Sequence, residues 1–315
     1  MEGINRERNI MLYDRETLEK MRVHYSIEEA LKDAKNVYSL NLHDSNIYKL
    51  PVEIARLENL QALDLVENHL TKLPKEIGKL TNLQFIRLVE NKLVRLSPII
   101  GQFIHLKDLD LNHNHLSKLP KEIGNLKGLE FLTADDNQLK SIPPEIGKLQ
   151  KLNLLSLTGN QLKEIPPEIG QLSQLEYLML DNNQLTHLPH EIKNLQNLKR
   201  IMLGGNLFKK EDKERFKTLF PPDCDVDTIT RYNSIEKALK EPEEVLELQD
   251  LTDIVYEKFP DEIFQFINIK YLSLSNHKIN QVPSKIRQLI YLENLGLANV
   301  HLMNIPPEIG KLNNL

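Results

Sequence analysis

The 315-residue sequence contains a single cysteine, Cys224, and no tryptophan. One cysteine cannot form an intramolecular disulfide, which excludes a small disulfide-stapled domain and fits a reducing compartment without ruling out export. The net charge of −5 lacks the basic excess of a nucleic-acid-binding domain, so nucleic acid is not an expected partner. Apolar runs are also too short to predict a membrane span.

Signals for export and catalysis are missing as well. Residues 1–8 are charged and contain no apolar stretch, so they do not resemble a secretory signal. The cytoplasm is therefore the default expectation, and a secreted or surface location is expected if a signal has been removed. The sequence has no G-x-S-x-G, no phosphate-binding G-x-x-x-x-G-K-S/T, no H-E-x-x-H and no paired cysteines. We therefore expect neither enzyme activity nor a cofactor.

What the sequence does contain is a repeat with a period of 23 residues. The unit reads L-x-x-L-x-L-x-x-N-x-L-x-x-L-P-x-x-I-x-x-L-x-x. One repeat of this kind cannot bury its own leucines, so only stacked copies form a core. Copies start at Val37, Leu60, Leu83, Leu106, Leu129, Leu152, Leu175 and Leu198.

Each half of the unit predicts its own local structure. The alternating leucines of L-x-x-L-x-L predict a short strand with one face inward, and the L-P-x-E-I-G-x-L half predicts a short helical or 3₁₀ return on the outer face. The asparagine carries both a donor and an acceptor, so stacked copies are expected to bond the backbone of neighbouring turns. This ladder would consist of Asn68, Asn91, Asn114, Asn137, Asn160, Asn183 and Asn206.

The repeat resembles that of the leucine-rich-repeat family, specifically the 23-residue subclass with L-P-x-x-I-G-x-L. That subclass occurs in many bacterial proteins, notably of spirochaetes, and in intracellular Ras-group repeat proteins. The resemblance implies an α/β solenoid: a curved horseshoe with a parallel β-sheet on the concave face and short helices or 3₁₀ turns on the convex face. It implies binding without naming a partner, because repeat folds serve many unrelated binding functions.

Interruptions of the 23-residue lattice divide the chain. Ser26 followed by Glu29 is a capping box that predicts a helix over residues 26–33, and another helix is predicted over residues 14–24. The predicted segments are an N-terminal helical cap (residues 1–36), a first array of eight repeats (37–208), its C-terminal cap with a helix and an edge strand (209–226), a linker with a second helical cap (227–245) and a second array (246–315).

The second array is predicted to be a degraded duplicate of the first. The segment SIEKALKE at residues 234–241 repeats SIEEALKD at residues 26–33, which indicates a tandem duplication. The chain stops at Leu315, the first residue of another repeat, without a closing cap. Either the sequence is a fragment, or self-association covers the open end. The expected strand starts are near Leu246 and at Ile269 and Leu292, and the asparagine positions hold Ile254, His277 and Val300.

The residues between the buried leucines of each strand are expected to face the concave side, where such folds usually bind. Exposed aromatic residues there are typical interface anchors; the alternative is that their rings stack across strands and stabilise the sheet. Acidic residues outnumber basic ones around them, which favours a protein partner with a basic patch. The predicted partner-binding residues are Phe85, Arg87, Glu67, Glu90, Asp110, His113, Phe131, Asp135, Tyr177 and Met179.

Three functions remain open at this point. The preferred one is a protein-interaction module; the others are a secreted or surface adhesin that binds host proteins and a non-catalytic regulator of a small GTPase. No metal site is predicted, because the spacing of the densest ligand cluster follows from the repeat alone. Cys224 is expected to lie buried in the cap without a reactive role. The members of that densest cluster are Asp110, His113, His115, Asp135 and Asp136.

Overall fold

The computed structural model describes residues 11–216, 218–252 and 254–315. The strands in these residues are β1 (Val23–His24), β2 (Ser39–Asn41), β3 (Ala62–Asp64), β4 (Phe85–Arg87), β5 (Asp108–Asp110), β6 (Phe131–Thr133), β7 (Leu154–Ser156), β8 (Tyr177–Met179), β9 (Arg200–Met202), β10 (Asp225–Asp227), β11 (Arg231–Tyr232), β12 (Glu247–Gln249), β13 (Tyr271–Ser273) and β14 (Asn294–Gly296). The α-helices are α1 (Arg15–Lys20), α2 (Ile27–Lys32), α3 (Lys210–Phe216) and α4 (Ile235–Ala238).

Short 3₁₀ helices form the return of each repeat. Successive returns pack closely against each other. A Cβ atom on Gly147, for example, would lie 2.5 Å from the carbonyl oxygen of Glu168 in the next return. Only glycine permits this approach. The 3₁₀ helices are Ala34–Asn36, Val52–Arg56, Lys75–Lys79, Pro98–Gln102, Lys121–Asn125, Pro144–Lys148, Pro167–Gln171, His190–Asn194, Pro242–Glu244, Asp261–Gln265, Ser284–Gln288 and Pro307–Lys311.

Two sheets follow the order of the chain, one of strands β1 to β10 and one of strands β11 to β14. From β2 to β9 each strand pairs with the next in parallel at the 23-residue spacing, so that Leu132 lies opposite Leu155 and Leu155 opposite Leu178. These central residues are fully buried. The predicted solenoid fold is confirmed.

The chain divides into two compact units. The first runs up to Met202 and also contains Leu207–Val226, and the second contains Leu203–Asn206 and Asp227–Leu315. Each has its own apolar core, made by stacked leucines and isoleucines of successive repeats. The five segments expected from the sequence, with their boundaries, remain a prediction.

The asparagines of the first array bond the backbone of neighbouring turns. The side-chain amide of Asn160 donates to the carbonyl oxygens of Ala134, Leu157 and Thr158 at 2.9, 3.1 and 3.2 Å. Its oxygen accepts the N–H of Leu139 at 2.9 Å. These bonds satisfy backbone groups that are buried away from water. The same four-bond arrangement is made by Asn68, Asn91, Asn114, Asn137 and Asn183. Asn206 donates to Leu203 and Gly204.

The two opening segments differ from the helical caps that the sequence predicts. Helix α1 is shorter than the expected helix over residues 14–24, because Val23–His24 forms β1 and pairs with Ser39 and Leu40 of β2. Likewise β11 lies in the predicted linker and pairs with Glu247 and Leu248 of β12. Backbone pairing to the first repeat therefore overrides the helical pattern.

The duplicated segments do start their helices in the same way. The hydroxyl of Ser26 accepts the N–H of Glu29 at 3.0 Å at the start of α2, and the hydroxyl of Ser234 accepts the N–H of Lys237 at 3.2 Å at the start of α4. Each is a serine N-cap that satisfies a free helix donor. A two-residue strand precedes both caps, as expected for a tandem duplication.

The first repeat of the second array is one residue longer than the lattice predicts. Leu248 of β12 pairs with Leu272 of β13, which is 24 positions later. The expected strand start near Leu246 is therefore off by one residue, and Ile254 is exposed rather than at a ladder position. Asp250 hides this extra residue from the sequence pattern, because its buried carboxylate occupies a normally apolar position, where it accepts the N–H of Thr252 at 3.0 Å.

The next ladder position of the second array is filled by a histidine. His277 is 4% exposed, and neither ring nitrogen has a hydrogen-bond partner among the residues that the structure describes. Its ring instead packs against Tyr256 with 4.8 Å between centroids. A buried polar group without a partner is destabilising, so we expect this turn to be less stable than those of the first array.

Helix α3 and the edge strand β10 follow the last repeat of the first array, where the sequence predicts a closing cap. The rings of Phe208 and Phe216 meet edge to face at 4.8 Å between centroids. Cys224 is half-buried rather than buried. Burial, with a smaller contribution from Asp225, raises the pKa of its thiol to about 11, so the unreactive thiol form dominates at neutral pH.

Local stability is expected to be lower in the second array. We predict that backbone amides of residues 246–315 exchange with solvent faster than those of residues 37–208, because the turns at His277 and Val300 lack the asparagine bonds. Hydrogen exchange followed by mass spectrometry on the native chain measures this directly. Equal protection in the two segments would contradict the prediction.

Candidate functional site

The strand residues on either side of each buried central position project from the opposite face of the sheet. Because the strands are in register, these residues form two columns across the concave face. The first column is Ser39, Ala62, Phe85, Asp108, Phe131, Leu154, Tyr177 and Arg200, and the second is Asn41, Asp64, Arg87, Asp110, Thr133, Ser156, Met179 and Met202.

The ten residues predicted to bind a partner all lie in these columns or in the turns that follow the strands. Five have exposed side chains: Glu67, Arg87, Glu90, His113 and Phe131. The other five are half-buried: Phe85, Asp110, Asp135, Tyr177 and Met179.

The aromatic residues of the first column are separated from each other. Asp108 lies between Phe85 and Phe131 in the register of the strands, and Leu154 lies between Phe131 and Tyr177. In the part of the chain that the structure describes, these three rings make no ring contact with one another. Phe131 is 40% exposed. Cross-strand ring stacking therefore does not account for its presence on this face.

Two carboxylates of this face are held by hydrogen bonds from neighbouring strands and turns. Asp110 accepts the hydroxyl of Thr133 at 2.8 Å, and Asp135 accepts the hydroxyl of Ser156 at 2.6 Å and the N–H of Thr158 at 2.8 Å. Such bonds fix the carboxylates in place before any partner arrives.

Two carboxylates of this face have shifted acidities. Burial raises the pKa of Asp108, an effect that Arg15 partly opposes. Burial also raises the pKa of Asp135, which the bonds from Ser156 and Thr158 partly oppose. Both residues thus lose their negative charge at a higher pH than an exposed aspartate does.

The basic residue of the second column is paired within the sheet. Arg87 donates to Asp64 on the preceding strand at 3.1 Å, and it lies opposite Asp110 on the following strand. The guanidinium is 52% exposed, so this ion pair contributes little to stability. Because the pair cancels one charge of each sign, the positive charge of Arg87 does not offset the remaining carboxylates of this face.

His113 contacts Asp136, with 3.5 Å between ring nitrogen and carboxylate oxygen. Of the residues described, no three histidine, cysteine or acidic side chains come together in a way that would hold a metal ion. Nor does any described helix have the length and apolar character required to cross a membrane.

Turn geometry sets the direction of several rim side chains. Glu67, Glu90 and His113 immediately precede ladder asparagines and have φ near +53°. This left-handed conformation is unfavourable for residues with a side chain. Gly159 occupies the equivalent turn position, so the conformation belongs to the repeat and is not by itself a sign of binding.

The sequence did not indicate that the N-terminal segment reaches this face. Buried Gln61 accepts the N–H of Tyr13 at 2.9 Å, and buried Gln84 donates to the carbonyl of Tyr13 at 2.7 Å. One feature of the sequence could have indicated this contact. Gln61 and Gln84 are uncharged amides, whereas the equivalent positions of the next two repeats hold the charged residues Lys107 and Glu130.

Arg15 of α1 extends from this anchored segment over the first column. Its guanidinium lies 5.7 Å from the ring centroid of Phe85 and 3.3 Å from the carboxylate of Asp108. Glu19 also accepts from it at 3.3 Å. Phe85 is therefore partly covered within the chain itself, while Phe131 remains open to solvent.

Family comparisons match most of the first unit. A family described as leucine rich repeat matches residues 35–93, and one described as leucine-rich repeat region matches residues 94–155 and 134–217. No curated protein sequence matches the chain significantly.

Solved structures that match the chain come from bacteria and plants. A leucine-rich-repeat protein of Leptospira interrogans is 32% identical, with 94% of this chain and 92% of that chain covered and a TM-score of 0.36. An internalin of Listeria monocytogenes is 21% identical over 96% of this chain and 88% of its own, with a TM-score of 0.58. The ectodomain of an Arabidopsis thaliana receptor kinase, solved with Casparian strip integrity factor 2, is 24% identical over 88% of this chain and 40% of its own, with a TM-score of 0.52.

Proposed function

Since the chain belongs to the leucine-rich-repeat family, whose fold generally mediates protein–protein interaction, we propose that it is a non-catalytic module that binds a protein partner on the concave face of its first array. The observation that carries the proposal is the position of Phe131. Its ring is exposed on strand β6, free of other rings of its column, and the neighbouring strand β5 places Asp108 opposite it.

The charge of this face points to a partner with a basic patch. Glu67 and Glu90 are exposed at its rim, and Asp110 and Asp135 are held by hydrogen bonds within it. Arg87 is already paired with Asp64. Complementary charge steers a basic partner toward such a surface and opposes an acidic one.

A capture experiment with three versions of the full chain tests the proposal. The wild type is compared with a concave variant, Phe131→Ala with Tyr177→Ala, and with an outer-face control, Lys148→Ala with Gln171→Ala. A protein retained by the wild type and the control but lost from the concave variant supports the proposal. Retention by the concave variant and loss from the control would refute it. A captured host matrix protein would indicate an adhesin, and a captured small GTPase a regulator.

Binding of such a partner is expected to weaken on acidification. Burial raises the pKa of Asp135, so its negative charge is lost as the pH falls through that raised value, before exposed aspartates protonate. Partner affinity should therefore begin to fall at pH values above the usual aspartate range. Titrating the dissociation constant of wild type and Asp135→Asn measures this effect. The variant should bind more weakly at neutral pH and show a flatter pH profile; identical profiles would contradict the role of this carboxylate.

A further inference from the structure

A pocket opens on the concave face between helix α1 and strands β2 to β5. Its volume is about 240 Å³. Ser39 and Ala62, the two smallest side chains of the first column, form the floor, and Phe85 forms the wall on the next strand. Leu18 of α1 and the exposed ring of Tyr25 complete the other side.

The wall made by α1 is held in place. Leu18 is 3% exposed, and the backbone just before the helix is anchored by the buried amides of Gln61 and Gln84. Asp14 caps the helix by accepting the N–H of Thr17 at 2.7 Å. The pocket is thus formed before a ligand enters, which lowers the entropy lost on binding.

The charged groups that line the pocket are already matched. Arg15 pairs with Glu19 and Asp108, each at 3.3 Å. Arg87 pairs with Asp64 at 3.1 Å. A charged ligand group would have to break one of these pairs, whereas an uncharged apolar group can enter without doing so. Complementarity therefore favours an uncharged occupant.

The volume selects the size of that occupant. An apolar cavity of about 150 Å³ accommodates benzene, whereas pockets for drug-sized molecules span about 300–1,000 Å³. At about 240 Å³ the pocket has room for one aromatic ring with its attachment to a chain. The ring of Phe85 in the wall offers the edge or face contact that aromatic pairs prefer.

We propose that this pocket receives a single aromatic side chain of the protein partner. The inference rests on the proposed function, because the pocket lies on the same concave face as Phe131. Aromatic side chains seated in preformed pockets are the usual energetic anchors of protein interfaces. The partner would thus place an aromatic residue at the N-terminal end of the face and its basic residues beside the carboxylates further along.

The first test uses small probes on the full chain. Methyl NMR of ¹³C-alanine-labelled protein monitors Ala62 during titration with N-acetyl-phenylalaninamide, N-acetyl-leucinamide or N-acetyl-argininamide. We expect a saturable shift of the Ala62 signal, with at least tenfold tighter binding of the phenylalanine probe than of the other two. No saturable shift would overturn the proposal, as would equal binding of the leucine probe or tighter binding of the arginine probe.

Variants that fill the pocket test whether the phenylalanine probe binds there. Ala62→Leu fills the floor and should weaken binding of the phenylalanine probe at least tenfold, whereas Ser173→Leu, at an exposed position outside the pocket and the concave columns, should leave it unchanged. Ser39→Leu fills the floor from the neighbouring strand and provides a second measurement if Ala62→Leu unfolds. Unchanged probe binding to a folded, floor-filled variant would overturn the proposal.

A purified partner separates failure of the pocket from failure of the proposed function. Loss of partner binding in both Ala62→Leu and Phe131→Ala supports the two together. If Phe131→Ala loses binding while Ala62→Leu binds like the wild type, the pocket proposal is wrong and the proposed function stands. If both variants bind like the wild type, both are wrong.

Discussion

Replacing Asn160 by alanine is expected to lower the free energy of unfolding of the first array by about 1–3 kcal/mol. The side chain makes four hydrogen bonds to backbone groups, two in its own repeat and two in the preceding repeat. Alanine would leave the N–H of Leu139 and the carbonyl of Ala134 without these bonds in a buried setting. Water cannot replace them there without opening the stack of repeats.

Urea unfolding followed by circular dichroism measures the effect. Lys163→Ala, an exposed position in the same repeat, is the surface control and should change stability by less than about 0.5 kcal/mol. His277→Ala should cost less than Asn160→Ala, because the histidine ring makes no hydrogen bond among the described residues. Equal and small losses for Asn160→Ala and His277→Ala would show that the ladder does not stabilise the turn.

The converse substitution, His277→Asn, is expected to stabilise the second array by about 1 kcal/mol. By analogy with Asn160, the new amide would face the carbonyls of Leu274 and Ser275, and its oxygen would face the N–H of Tyr256. It would also remove a buried ring with two unbonded nitrogens. Slower amide exchange in residues 246–315 than in the wild type would confirm the gain; faster exchange would contradict it.

The repeat architecture was predictable because one period governs many residues at once. Leu132, Leu155 and Leu178 occupy the same phase of the repeat, and a single buried leucine at each strand centre sets the register of its neighbours. The ladder asparagines were predictable for the same reason. A feature that recurs at a fixed spacing is reinforced by every copy of the repeat.

Features that occur once were not predictable in this way. Arg15 meets Asp108 across 93 positions, and neither residue differs from an ordinary surface charge in the sequence. The extra residue of the first repeat in the second array was hidden because Asp250, a polar residue, fills an apolar position. The pocket depends on both α1 and the small residues Ser39 and Ala62, so local patterns do not reveal it.

The residues proposed to contact a partner form two neighbouring regions on one face. The pocket at the N-terminal end is apolar with its charges paired, and the region around Phe131 is aromatic with carboxylates held in place. Each repeat contributes only one strand to this face, so the two regions are fixed relative to each other by the stack of repeats. A partner that uses both would bind through rigid contacts with little rearrangement of the backbone.

Truncation of the central anchor, Phe131→Ala, is expected to weaken partner binding by about 2 kcal/mol or more, roughly thirtyfold in the dissociation constant. The aromatic ring supplies apolar contact area from an exposed strand position, opposite Asp108 on β5. Tyr177→Ala is expected to act in the same direction. Stability should change little for Phe131→Ala, because the ring is 40% exposed.

Changes at the acidic rim should affect the association rate rather than the dissociation rate. Glu67→Gln with Glu90→Gln removes two exposed charges, so we expect slower association and a weaker dependence of the association rate on salt, with little change in dissociation. Binding kinetics at two salt concentrations separate these effects from the loss of the Phe131 anchor, which should accelerate dissociation. If Phe131→Ala leaves binding intact while Lys148→Ala or Gln171→Ala on the outer face abolishes it, the partner binds the 3₁₀ returns instead. The concave rings would then have no part in recognition.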